Sequence, residues 1–331
     1  MNTESEPPRM SLYTTNVDPE LAAAIEPLDP TMIPTNLDSI PAMRTLNEAI
    51  LEQMEQVLPH SATVTSTDHR ASTADAAEIL IRVYRPSTSQ AALPVLVWVH
   101  GGGMIAGSVA GDNWYCEAIV DGVGCAVASI DYRLAPEHPH PIPVEDCTVA
   151  LRWVAAHADE LNLDPARLAI GGASAGGGLA AGVVLKNRDT QGPPVSFQYL
   201  MYPMLDDRAI TQSSQTFSGI PTWSLEHNEN GWRALLGERY QTEAVDAYAA
   251  PARAIDLSGL PPTLIQVGEL DTFRDEDIDY ATRLLQAGVP TELHVYPGAY
   301  HGWDLLNPTA TSTTLVHAER NRALIRALAI R

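Results

Sequence analysis

Lysine is almost missing from this chain of 331 residues: Lys186 is the only one among twenty basic residues, which face forty-one acidic ones for a formal charge of −21. Such a balance repels phosphate backbones and anionic membrane surfaces, so neither nucleic acid nor a membrane is expected as a partner. The preference for arginine reads as genome composition rather than salt adaptation. Cysteine is scarce too. Cys116, Cys125 and Cys147 form an odd set with no C-x-x-C pair, which argues against a disulfide framework or a zinc site and predicts buried free thiols. No long apolar run opens the chain: the first twenty residues carry Glu4, Glu6, Pro7, Pro8 and Asp18. With neither a secretory leader nor a membrane span, a cytoplasmic location is expected. What is present is an ordinary globular composition, 45% hydrophobic and 18% charged. A chain of this length buries roughly three quarters of its unfolded surface, enough for a large core without metal or disulfide staples.

Residues 1–40 are rich in proline and polar side chains and read as a loosely structured arm with short helices. Ile40, Met43, Leu46, Ile50, Met54 and Leu58 then recur at steps of three and four, the signature of an amphipathic helix with something to cover. From Glu78 the texture changes. Residues 79–85 alternate and stop at Pro86, a strand expected to pair with residues 63–66. Apolar runs of strand length follow at 95–99, 125–130, 168–171, 195–201, 263–267 and 291–296. Helical stretches at 114–120, 144–161, 176–187, 275–287 and 312–330 separate or follow them. The alternation breaks between 205 and 254, where residues 223–239 look helical and no strand signal occurs. Strand and helix in turn imply an α/β fold: a mostly parallel central sheet covered by helices on both faces, with right-handed crossovers. The chain thus divides into an arm and helix over 1–58, an α/β domain over 59–204 and 255–331, and an insertion over 205–254.

The sharpest local signal is Gly172-x-Ser174-x-Gly176, set between the strand at 168–171 and the helix at 176–187. A serine at such a strand-turn-helix junction occupies a strained elbow with its hydroxyl exposed above the sheet. The glycines on either side are needed because side chains there would meet the neighbouring strand and helix. A phosphate-binding loop would require G-K-[ST], and the sole lysine lies twelve residues beyond Ser174. His100-Gly101-Gly102-Gly103 follows the strand at 95–99, where such a hydrolase places backbone N–H donors for an oxyanion. Gly101, Gly102 and Ala175 are the expected donors, with His100 as a loop organiser. Of the histidines after the insertion, His294 lies in a strand and His317 on the last helix, whereas His301 follows the last strand, at the sheet end where a site belongs. Among Glu269, Asp271, Asp275 and Glu276, the last two fall in a first helical turn, where the helix dipole explains them. Asp271 is preferred, giving a Ser174, Asp271 and His301 triad. His138-x-His140 offers two metal ligands without a third, between prolines that suggest a fixed loop, and no metal site is expected.

These blocks, with Asp131-Tyr132-Arg133-Leu134-Ala135-Pro136-Glu137-His138-Pro139, carry a resemblance. Over roughly residues 78–305 the chain resembles the hormone-sensitive lipase family, the bacterial family IV carboxylesterases, of the α/β-hydrolase fold. The resemblance implies that the middle block braces the active site, with Arg133 and Glu137 holding backbone. It also implies that the arm and the insertion form a helical cap. Met104, Trp223 and Trp232 are expected at the substrate entrance, or else in the core of the cap. Ala173, Gly178, Met104 and Trp303 depart from the usual pattern of the family and bear on elbow support and pocket shape. The implied activity is hydrolysis of short- to medium-chain carboxylic esters through an acyl-enzyme, with a small ester as the only ligand, no metal or organic cofactor, and dimers as a frequent state. An amidase, lactonase or acyltransferase would use the same triad. A silent small-molecule receptor on this fold would lack the triad histidine.

Overall fold

Every residue of strand β3 (Leu93–Val99) is buried, as a strand covered on both faces requires. The computed structural model describes residues 16–28, 36–45, 49, 60–89 and 91–330. Seven further strands complete one sheet: β1 (Val64–Ser72), β2 (Glu78–Pro86), β4 (Ala126–Asp131), β5 (Leu163–Ala173), β6 (Phe197–Met201), β7 (Thr263–Leu270) and β8 (Thr291–Tyr300). Their order is β1-β2-β4-β3-β5-β6-β7-β8. Only β2 runs against its neighbours; from β4 to β8 the strands are parallel.

Successive side chains of a strand point to opposite faces, and the core divides accordingly. Val95, Val97 and Val99 join one apolar cluster, with α3 (Ile142–Ala156), α4 (Ala175–Asp189) and α7 (Arg274–Gln286). Leu96 and Trp98 join the other, with α1 (Pro19–Ile25), α2 (Asn113–Val123) and α9 (Thr311–Ala327). Each fully buried Val, Leu or Ile contributes about 1.5–3 kcal/mol, so both layers are committed to the sheet. The three cysteines are buried and free within these clusters, and burial pushes the Cys125 thiol up to about 12.

Several boundaries differ from the sequence expectation. The helix from 144 stops at Ala156 rather than 161, and β5 starts at Leu163, through an irregular stretch where Leu93 pairs Leu163 but Val95 pairs Leu168. Strand β8 runs to Tyr300 rather than 296, past a register shift opposite Gly268 and Leu270. Of the expected helix at 40–58, residues 40–45 and 49 are helical, with Ile40 and Met43 buried; Leu46, Ile50, Met54 and Leu58 lie outside the described residues.

Residues 205–254 contain α5 (Gln212–Thr216) and α6 (Leu225–Leu236) and no strand. They are tied to the 131–140 block by the His140 N–H donating to Leu235 O at 2.9 Å, by Arg239 donating to His140 O at 2.7 Å, and by a 3.0 Å pair between His140 and Asp246. Among the described residues no helix is long and apolar enough to cross a membrane.

Candidate active site

Ser174 stands where β5 ends and α4 begins, with φ 57° and ψ −122°. A non-glycine residue held there costs about 1–3 kcal/mol and persists only if its surroundings over-determine it. They do: the Ser174 N–H donates to Met201 O at 2.8 Å, and its carbonyl accepts from Met204 at 3.0 Å and Gly178 at 3.1 Å. The flanking glycines are required by contact. A Cβ on Gly172 would lie 2.3 Å from Gly176 O, and one on Gly176 would lie 2.1 Å from Val99 O. Gly178, where the resembled family usually has Asn, has Met204 O at 2.0 Å from any added Cβ.

His301 follows β8 directly and reaches Ser174 Oγ with Nε2 at 3.0 Å, while Nδ1 lies 2.9 Å from Asp271 Oδ2. A carboxylate oxygen accepts, so Nδ1 carries the proton and Nε2 is left to take the hydroxyl hydrogen. Asp271 is fully buried just beyond β7, and its Oδ1 accepts the Phe273 N–H at 2.9 Å, which fixes the carboxylate plane. Phe273, Tyr202 and Trp223 surround the imidazole with ring centroids at 5.1, 4.5 and 6.3 Å. Tyr202 also donates to buried Asp304 at 2.8 Å, so the chain closes on itself around His301.

The other three carboxylates of the 269–276 segment serve backbone and ion pairs. Glu269 accepts the Gly298 N–H at 2.9 Å. Asp275 accepts the Ser213 N–H at 2.7 Å and pairs with Arg274. Glu276 accepts the N–H groups of Leu205 and Asp206, at 2.8 and 3.2 Å, with one oxygen. His294 pairs with Glu292, and His317 lies 3.7 Å from Asp304, so His301 is the one histidine of the three that meets the serine.

Burial, reinforced by Asp206, raises the Glu276 carboxyl well above the usual range. A group that holds its proton more tightly when folded lowers native stability as pH rises from about 4.5 through its raised value. Glu276→Gln keeps an oxygen for both N–H donors and removes that titration. Relative to wild type, the variant should therefore gain melting temperature as pH is raised above about 4.5. A difference in melting temperature that is flat with pH would reject the protonated assignment.

The glycine loop lies against the elbow: a Cβ on Gly101 would sit 3.0 Å from Ala173 O and 3.4 Å from Ser174 Cβ. Gly102 and Gly103 have φ of 111° and 62°. His100 organises this loop, its Nδ1–H donating to Gly101 O at 2.8 Å and its ring stacked 4.3 Å from Tyr132. Ala175 N–H belongs to the first turn of α4, where helical amides have no intrahelical acceptor and the dipole favours negative charge.

Of the three residues expected at the entrance, Trp223 is beside the site, its ring so close over Gly103 that a Cβ there would lie 2.3 Å from the indole. All three belong to the larger core cluster, in line with the alternative of a core position, and Met104, at φ 64°, and Trp232, on the packed face of α6, are fully buried in it. Arg133 and Glu137 also differ from expectation. The Arg133 guanidinium is held by Asp146 and Asp75, and Glu137 grips Arg44 rather than backbone.

A mostly parallel sheet of this order, with a serine elbow between β5 and α4 facing a histidine after β8, defines an α/β hydrolase. Residues 96–305, more than half of the chain, match the alpha/beta hydrolase fold family, and the chain belongs to it, in the hormone-sensitive-lipase-like group. Similar chains include the esterase LipI of Mycobacterium tuberculosis, 37% identical over 74% of this chain and 76% of LipI. Carboxylesterase NlhH of the same species is 38% identical over 72% of this chain and 76% of its own length. Among solved structures, a bacterial heroin esterase superposes with a TM-score of 0.89 at 43% identity, over 95% of this chain and 99% of that one. Esterase LipW from Mycobacterium marinum gives 0.87 at 37% identity, over 95% of this chain and 96% of that one.

Sequence reasoning did not find Tyr202, Phe273 or Arg44. Phe273 stands two residues after Asp271 and could have been weighed. The position of Tyr202, at φ 34° after β6, leaves no local signal.

Proposed function

We propose that the chain is a serine carboxylesterase that cleaves uncharged esters with short to medium acyl chains through an acyl-enzyme. The observation that carries this reading is the continuous chain from Ser174 Oγ through His301 to Asp271, at 3.0 and 2.9 Å. Ser174 Oγ attacks the ester carbonyl as His301 Nε2 takes its proton. The developing oxyanion is received by the N–H groups of Gly101, Gly102 and Ala175 at the positive end of α4. Asp271 keeps Nδ1 protonated and balances the imidazolium. His301 then protonates the leaving alcohol, and the same base activates the water that hydrolyses the acyl-enzyme.

The N-terminal arm and residues 205–254 act in this reading as a cap, with Trp223 as an apolar wall above the glycine loop. Names of similar proteins, esterase and carboxylesterase, support the reaction class. The apolar rings of Trp223, Phe273 and Tyr202 around His301 favour an uncharged substrate. Initial rates on p-nitrophenyl esters of increasing acyl length should peak at short chains and decline toward long ones. Absence of hydrolysis at every length would overturn the carboxylesterase reading, and faster transfer to an added alcohol than to water would make the acceptor, not the triad, the error.

A further inference from the structure

We propose that Arg44, on the N-terminal arm, is a positioning residue that holds the oxyanion loop in place; this rests on the reading of Gly101 and Gly102 as oxyanion donors. Arg44 lies in the helical stretch 40–45, whose Ile40 and Met43 are sunk in the larger core cluster. Its guanidinium makes four bonds at once. Nε donates to Ile105 O at 2.6 Å, Nη2 donates to Ala135 O at 2.7 Å, and Nη1 and Nη2 each reach an oxygen of Glu137 at 2.8 Å. Only a planar fork with several donors in fixed geometry can satisfy two carbonyls and a carboxylate together; an ammonium cannot.

Both carbonyls belong to the support of the glycine loop. The N–H groups of Ile105 and Ala106 donate to Gly102 O at 3.1 and 2.9 Å, and the Ala135 N–H donates to Met104 O at 2.9 Å. The turn is tight enough that a Cβ on Gly102 would lie 2.2 Å from Ala106 O, so residues 102–106 move together. Tethering Ile105 O and Ala135 O therefore fixes where the Gly102 N–H points. Glu137 orients the guanidinium, and Arg44 in turn holds the Glu137 carboxyl below its usual range. Glu137 is half exposed and Arg44 partly so, and exposed ion pairs add little to stability. The consequence of losing Arg44 belongs in turnover more than in melting.

The experiment compares kcat, KM and melting temperature for wild type, Arg44→Lys, Arg44→Ala and the milder Glu137→Gln. Arg82→Lys serves as a control, since Arg82 forms a comparable pair with Asp68 on β1 and β2, outside the glycine loop. Both Arg44 variants should lose about 10- to 100-fold in kcat, the scale of a misplacement of about 1 Å, with KM nearly unchanged and melting close to that of the control. Added guanidinium ion should restore part of the kcat of Arg44→Ala and none of the control's. A kcat equal to that of Arg82→Lys, or one that falls only in step with KM and melting temperature, would overturn the proposal while wild-type turnover leaves the esterase reading intact. A wild type that hydrolyses no ester would remove both.

Discussion

Ser174→Ala protein should hydrolyse p-nitrophenyl acetate about 10⁶-fold more slowly than wild type, the scale on which a triad loses its nucleophile. The substitution removes one oxygen from a residue whose backbone is held by three hydrogen bonds and whose φ of 57° alanine tolerates no worse than serine. The hydroxyl contributes one hydrogen bond, to His301 at 3.0 Å, worth about 1 kcal/mol net. Folding should survive, and the melting curve of the variant should overlie that of wild type to within a few degrees. Rates and melting are to be measured on the same pure sample. Turnover that persists at more than about one hundredth of the parent rate would mean that another group is the nucleophile.

Asp271→Asn should lower kcat about 10⁴-fold, and Asp275→Asn by less than about tenfold. The difference follows from what each carboxylate touches. Oδ1 of residue 271 accepts the Phe273 N–H at 2.9 Å, so an asparagine must keep its carbonyl oxygen there and turn its NH2 toward His301. That group can only donate, which forces Nδ1 to accept and moves the imidazole proton to Nε2, facing the serine it should deprotonate. Asp275 meets Arg274 and the Ser213 N–H and has no path to His301. Steady-state kinetics on both variants decide the matter, and equal losses would leave Asp271 without support as the triad acid.

The centre of the sheet was legible because β3, β4, β6 and β7 are buried on both faces and so are written as apolar runs. The runs at 95–99 and 263–267 lie inside β3 and β7, and 125–130 is offset by one residue from β4. Ends were less legible. Pro297 and Gly298 look like a loop, yet β8 continues through them because the register shift beside β7 lets backbone pairing resume at Leu270 and Tyr300. Neither α5 nor α8 (Trp303–Leu306), of five and four residues, carries enough periodicity to be read.

The residues of the candidate site divide in the same way. The sequence by itself determined which chemical groups are available and at which ends of which strands, because a serine elbow, a glycine loop and a histidine after the last strand depend on local backbone chemistry. It could rank Asp271 above its neighbours only by position. Tertiary structure decided the pairing, since the 2.9 Å contact between Asp271 and His301 joins residues thirty apart, and the 3.0 Å contact between His301 and Ser174 joins residues 127 apart. Tertiary structure alone also put Met104 and Trp232 into the core, laid Trp223 over Gly103, and brought Arg44 to the carbonyls of Ile105 and Ala135. Such contacts depend on how separate elements pack, and packing is set by the summed shape of many side chains rather than by any local pattern.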